Sequence, residues 1–155
     1  MDRASFAQKA HFFAQDELVA AMLKRLNHVA IAVKDLTAAS AIYRDRLGAK
    51  VSDVAVLPEH GVAVVFVELS NTRLELITPL DEDSPIAKFV AKHPEGAIHH
   101  LCFEVEDISA ACERVRMARG HVLGSGCPTL GAHGRPVIFL DPKDFAGTLI
   151  ELEES

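Results

Sequence analysis

The chain has no tryptophan and a single tyrosine, so its eight phenylalanines supply nearly all of its aromatic surface. A broad cleft walled by stacked aromatic rings is poorly served by that composition. Cysteine is scarce: Cys102, Cys112 and Cys127 are an odd number, with no Cys-x-x-Cys spacing. A disulfide framework and the usual thiolate zinc or redox motifs are therefore excluded, and the three read as free thiols in a reducing compartment. Basic residues are outnumbered, 16 Lys and Arg against 22 Asp and Glu, for a formal charge of −6. Nucleic acid is not the expected partner, because phosphate-backbone binding needs a concentrated basic surface. No stretch approaches the about 18 consecutive apolar residues of a membrane span. The leading segment carries Asp2, Asp16 and Glu17, unlike a secretory or transit segment, so a cytoplasmic protein with no membrane partner is expected.

What is present is material for one core, with 49% apolar and 25% charged residues in 155. Residues 5–24 repeat apolar side chains at helical spacing (Phe6, Ala10, Phe13, Leu18, Met22), which predicts an N-terminal helical extension over 1–24. The main domain, 25–155, opens with LNHVAIAV as a strand and KDLTAASAIYRDRLG as a helix, with Thr37 near its start and Gly48 as a stop. Strands follow in VSDVAVL, GVAVVFVELS and RLELITP. A linker helix is expected over 83–93, capped by Ser84 with Pro85 in its first turn.

Then the order repeats. HLCFEVEDISAA (100–111) sets over HVAIAVKDLTAA (28–39), pairing His28 with His100, Asp35 with Asp107 and Ala38-Ala39 with Ala110-Ala111. At the far ends RLELI sets over TLIEL, with Glu75 over Glu151. The expected fold is α+β: two tandem βαβββ modules, about 26–80 and 97–155, curved around a cleft. Alternation puts His28 on the face of Ala30 and Ala32, and Glu75 and Glu151 opposite their leucine and isoleucine neighbours. Each half thus offers one imidazole and one carboxylate to the cleft. That nitrogen–oxygen set suits Zn²⁺, Co²⁺, Mn²⁺, Ni²⁺ or Fe²⁺, and a cation would offset the repulsion of two gathered carboxylates.

The other histidines read differently. His99 should point away from His100, and His11, His60, His93 and His121 read as solvent histidines of the leading segment or element edges. His133, between Gly131 and Gly134 in LGAHGRP, sits in a loop suited to contact a substrate, though no phosphate-cradling glycine motif surrounds it.

The segments LNHVAIAVKDLTAASAIYRDRLG, ELITPLDEDSPIAKF, GAIHHLCFEVEDI and LGAHGRPVIFLDPKD with the terminal LIELE carry a family likeness over about 26–154. The chain resembles the vicinal oxygen chelate superfamily (glyoxalase, bleomycin resistance, dioxygenase) and, within it, is similar to the methylmalonyl-CoA epimerases. The resemblance implies one divalent ion per chain, Co²⁺ favoured, held by His28, Glu75, His100 and Glu151. It implies a homodimer acting on an acyl-CoA, with Glu151 also transferring the α-proton and with Arg135 and Lys143 as candidate CoA contacts. Some members carry a second proton-transfer Glu where this chain has Val64, a departure that leaves metal-bound water, Glu75, Glu59 or His60 for that role. A glyoxalase I-like lyase and a metal-free binding protein of the same fold are the alternatives.

Overall fold

A computed structural model describes residues 21–155. The helical extension expected over 1–24 lies outside the described residues, apart from 21–24, which form no helix. The first strand, β1 (Leu26–Ala32), alternates burial from His28 onward, with His28, Ala30 and Ala32 buried on one face. Asp35 then accepts a hydrogen bond from the backbone N–H of Ala38 and starts α1 (Leu36–Ala41), which widens into a π turn over Ile42–Arg46. Thr37 falls in the first turn, near the start as expected. Gly48, at φ +64°, takes the left-handed conformation that ends the turn.

Strands β2 (Lys50–Val51), β3 (Ala55–Leu57), β4 (Val62–Glu68) and β5 (Arg73–Pro79) follow. Helix α2 spans Ala87–Lys92 and begins without a side-chain cap. Ser84 Oγ is buried and finds no hydrogen-bond partner among the described residues. Next come β6 (Ala97–Val105), α3 (Ile108–Met117), β7 (Thr129–Leu130), β8 (Pro136–Leu140) and β9 (Ile150–Glu154). Asp107 caps α3 through Ala110 as Asp35 caps α1 through Ala38.

The strands form one mixed sheet in the order β2-β4-β5-β1-β6-β9-β8-β7, with β3 paired to β4. Strands β1 and β6 meet antiparallel at its centre, β5 runs parallel to β1, and β9 runs parallel to β6. One face is covered twice. Helix α1 buries Leu36 with Ala63, Val65, Val67 and Leu76, and α3 buries Ile108, Ala111, Cys112 and Val115 with Ile138, Leu140 and Leu152. On the other face Ile86 and Val90 pack with Ala30, Ala32, Val62, Val64 and Ile77 and fill one end. The rest of that face carries His28, Glu75, His100 and Glu151 among apolar neighbours such as Phe66 and Phe139. Among the described residues no helix is long and apolar enough to cross a membrane, and all three cysteines are free.

Candidate metal centre

Strand register brings the four expected donors together. Residues directly opposite across a sheet point to the same side. One row across the strands reads Arg73, His28, Cys102, Glu151 and Phe139. The adjacent row reads Phe66, Glu75, Ala30 and His100. In each row the imidazole and carboxylate flank a small residue, Cys102 or Ala30, both wholly buried. A larger side chain at either position would fill the space into which the donors lean.

The resulting cluster is tight. His28 Nε2 lies 3.3 Å from His100 Nε2, 3.3 Å from Glu75 Oε2 and 3.4 Å from Glu151 Oε2. His100 Nε2 lies 3.0 Å from Glu151 Oε2 and 4.0 Å from Glu75 Oε2. Donors bound at about 2.1 Å to one ion stand roughly 3.0 Å apart at right angles, 3.4 Å at tetrahedral angles and 4.2 Å across the ion. Every measured separation falls in that range, so the residues fit a divalent cation, and His28, Glu75 and His100 form a group that could hold one. Cys102 joins His28 and Glu151 in a second, overlapping group. All four donors are at least 93% buried.

Burial opposes charge on His28, yet the neighbouring Glu151 and Glu75 carboxylates outweigh it and raise its pKa to about 9. Glu151 is also resisted by burial, and the two imidazoles nevertheless hold it down at about 2. With no cation the cluster therefore keeps a proton on His28 to balance its carboxylates. Burial pushes the Cys102 thiol far up, so it is neutral.

Behind His28 lies a network in which every bond to the ring and its neighbours has a fixed donor and acceptor. Asn27 Nδ2 donates to Glu104 Oε1 at 2.9 Å, which turns Asn27 Oδ1 to accept from His28 Nδ1 (2.9 Å) and from Arg73 Nη2 (3.0 Å). The same Arg73 nitrogen donates to His133 Nε2 at 3.1 Å. A guanidinium only donates, so His133 must carry its proton on Nδ1, which donates to Glu153 Oε2 at 2.8 Å. The Arg73 guanidinium stacks 4.5 Å over the Phe66 ring. His28 is thereby fixed with Nδ1 protonated and Nε2 aimed at the cluster, the orientation a ligand imidazole needs.

The cluster forms the floor of a cavity of about 420 Å³. Val62, Val64 and Ile77 line one side, and Leu130, Phe139 and Leu149 line another. His133 lies beside the cluster, its ring 6.0 Å from that of His28, but both its nitrogens are already engaged. Arg135 is exposed, donates to the Glu154 carbonyl, and lines a separate polar pocket of about 640 Å³ with Arg25 and Arg73. Lys143 is exposed in the turn Pro142–Asp144, away from the lining of either pocket.

His99 does not point away as expected. The β1–β6 register slips between Ala30 and Ile31, leaving His99 unpaired in a bulge between Ile98 and His100. A bulge breaks the two-residue alternation, so His99 also reaches the cavity. There its Nδ1 meets His100 Nδ1 at 2.9 Å, its ring packs on Phe89 of α2, and burial lowers its pKa to about 4. Sequence reasoning gave Arg73, Cys102 and Glu153 no part in the site. Each stands two residues from an expected donor in a strand, and that spacing alone marks it for the same face.

Known proteins share this architecture. Residues 27–139 match the family model described as the Glyoxalase/Bleomycin resistance protein/Dioxygenase superfamily. The chain is 59% identical over 133 residues to the ethylmalonyl-CoA/methylmalonyl-CoA epimerase of Cereibacter sphaeroides, covering 86% of this chain and 99% of that one. The crystal structure of methylmalonyl-CoA epimerase from Mycobacterium tuberculosis superposes with a TM-score of 0.79 at 33% identity, over 91% and 94% of the two chains. A methylmalonyl-CoA epimerase in complex with methylmalonyl-CoA and NH₄⁺ superposes with a TM-score of 0.76 at 34% identity, over 86% and 95%. The chain belongs to the glyoxalase/bleomycin resistance protein/dioxygenase superfamily, among its methylmalonyl-CoA epimerases.

Proposed function

We propose that the chain interconverts the (R) and (S) epimers of methylmalonyl-CoA by removing and returning the proton on the carbon between thioester and carboxylate. One observation carries the reading: two buried imidazoles 3.3 Å apart, with two buried carboxylates each 3.0–4.0 Å from them, meet on the floor of a cavity. The 59% identity to an epimerase of such substrates supports it. His28, Glu75, His100 and Glu151 would hold one divalent ion, for which we favour Co²⁺ over Zn²⁺, Mn²⁺, Ni²⁺ and Fe²⁺. An ion held there supplies positive charge beside the thioester oxygen, where negative charge collects as the C–H bond breaks.

The chain's own groups do the rest. Glu151 directs Oε2 at both imidazoles and is a carboxylate at neutral pH, so its other oxygen can take the α-proton. Val62, Val64, Phe139 and Leu149 keep the reacting carbon out of bulk water. Arg135 and Lys143, both exposed, suit the phosphate-bearing tail of the CoA outside the cavity. We read 25–155 as one domain of two tandem βαβββ modules with a linker helix within 83–93, preceded by the extension 1–24. The protein would be a cytoplasmic homodimer.

The test is deuterium wash-in at the α-carbon of methylmalonyl-CoA in D₂O, using native and chelator-stripped protein. Metal-dependent exchange coupled to epimer interconversion is expected. No exchange, or exchange undiminished after stripping, overturns the reading. Turnover of a glutathione hemithioacetal in its place would favour the lyase.

A further inference from the structure

Inversion at carbon needs a proton-transfer group on each face of the planar enolate, and Glu151 serves one face only. We propose that His60 is the proton-transfer residue on the other face, an inference that rests on the epimerase reading above. Seven ionisable side chains line the cavity: His28, His60, Glu75, His99, His100, His133 and Glu151. Four of them are the donor cluster. His133 is spent, since Nε2 accepts from Arg73 and Nδ1 donates to Glu153. His99 is tied to His100 through Nδ1 and its ring is packed edge-on against Phe89 of α2. His60 remains.

Its placement is right for the opposite side. His60 closes the turn Pro58–His60 that leads into β4, and β4 is separated from β9 in the sheet by β5, β1 and β6. Two groups so far apart along the sheet can line one cavity only by facing each other across it. The β4 residues beneath, Val62 and Val64, are apolar, so His60 is the ionisable group of that wall.

The mount is rigid and the ring is free. Gly61, at φ +67°, hydrogen-bonds through its N–H to the Pro58 carbonyl, and its own carbonyl accepts from Leu80 N–H. A Cβ at Gly61 would stand 3.3 Å from Pro85 Cδ, so the turn is packed against the segment before α2. The His60 side chain keeps 31% exposure and makes no hydrogen bond among the described residues; its Nε2 stands 4.0 Å from Glu59 Oε1. It therefore has both access to the cavity and contact with solvent, which a group that must reload its proton each turnover requires.

Glu151 takes the proton from one epimer, the C–H electron pair passes into the enolate, and the His60 imidazolium returns a proton to the opposite face. The reverse reaction exchanges the roles. One C–H bond breaks and one forms, and solvent restores each group to its starting state.

The experiment follows wash-in from D₂O for each epimer separately, with wild type and His60→Gln. Wild type should exchange both. The variant should keep exchange of one epimer within about threefold while losing exchange of the other, and interconversion, by about 10²-fold or more. Its bound metal and melting temperature should match wild type. Interconversion at the wild-type rate overturns the assignment, as does equal loss of exchange from both epimers. Wild type that exchanges neither would remove the epimerase reading itself.

Discussion

His28 faces two polar clusters built on opposite principles. Through Nε2 it meets His100, Glu75 and Glu151, a group with more acceptors than protons that requires a cation or a proton to balance it. Through Nδ1 it meets Asn27, and behind Asn27 lie Arg73, His133 and Glu153, where His28 Nδ1, Asn27 Nδ2, Arg73 Nη2 and His133 Nδ1 each have an acceptor. The comparison separates the work of the two sides. The saturated side orients the imidazole, and the unsaturated side uses it.

The difference can be broken first by pH. In the metal-free protein His28 has a pKa of about 9 in the folded state, against about 6.5 for an ordinary imidazole. A raised pKa contributes stability that is complete below pH 6.5 and is lost as pH rises through 9. The shift corresponds to a loss on the order of 3 kcal/mol. The same ion pair seen from Glu151, held near 2, is lost only as pH falls through that value. Thermal melts of stripped protein should therefore fall between pH 6.5 and 9, while the metal-loaded protein, whose His28 has no proton on Nε2 to lose, should not follow. Calorimetry in buffers of different ionisation enthalpy should detect about one proton released per ion bound near pH 7. A flat melting profile for the stripped protein would show that His28 is not the balancing group.

The two sides also differ in how far they could be read in the sequence. The donor cluster was legible because alternation gives the direction of each strand residue, and the repeat named the same two residue types twice. Its spacing depends on two small residues between the donors, Ala30 and Cys102, whose importance appears only with the cross-strand register. The saturated side draws on β1, β5, β6, β9 and the loop before β8, with no repeat to announce it. His133 was expected at the substrate, and the loop does bring it to the cluster, but Arg73 and Glu153 occupy both its nitrogens. His99 and His60 share one lesson. A bulge turned the first into the cavity against alternation, and a turn carried the second there from an element edge.

Removing Arg73 tests the saturated side directly. Arg73→Met keeps an unbranched stem but withdraws the guanidinium stacked on Phe66 and, with it, the donor shared by Asn27 and His133. With His133 Nε2 unpaired and Asn27 free to turn, His28 loses its fixed orientation. Metal affinity should fall about 10- to 100-fold, the range for loss of groups that orient ligands. Metal-competition titration measures it. An unchanged affinity would mean that strand packing alone sets the His28 ring.

The smallest effect should come from Glu153→Gln, which sits in the same network and alters it least. The amide oxygen still accepts from His133 Nδ1, so the His133 tautomer and its bond from Arg73 survive. Only the 3.4 Å contact from Asn27 Nδ2 is lost, and that amide keeps its shorter bond to Glu104 at 2.9 Å. One long, shared hydrogen bond is worth about 1 kcal/mol or less. Melting temperature should shift by a few degrees at most, and metal affinity by less than about threefold. A loss as large as that of Arg73→Met would instead show that the negative charge of Glu153, rather than its hydrogen-bonding shape, holds the network behind His28.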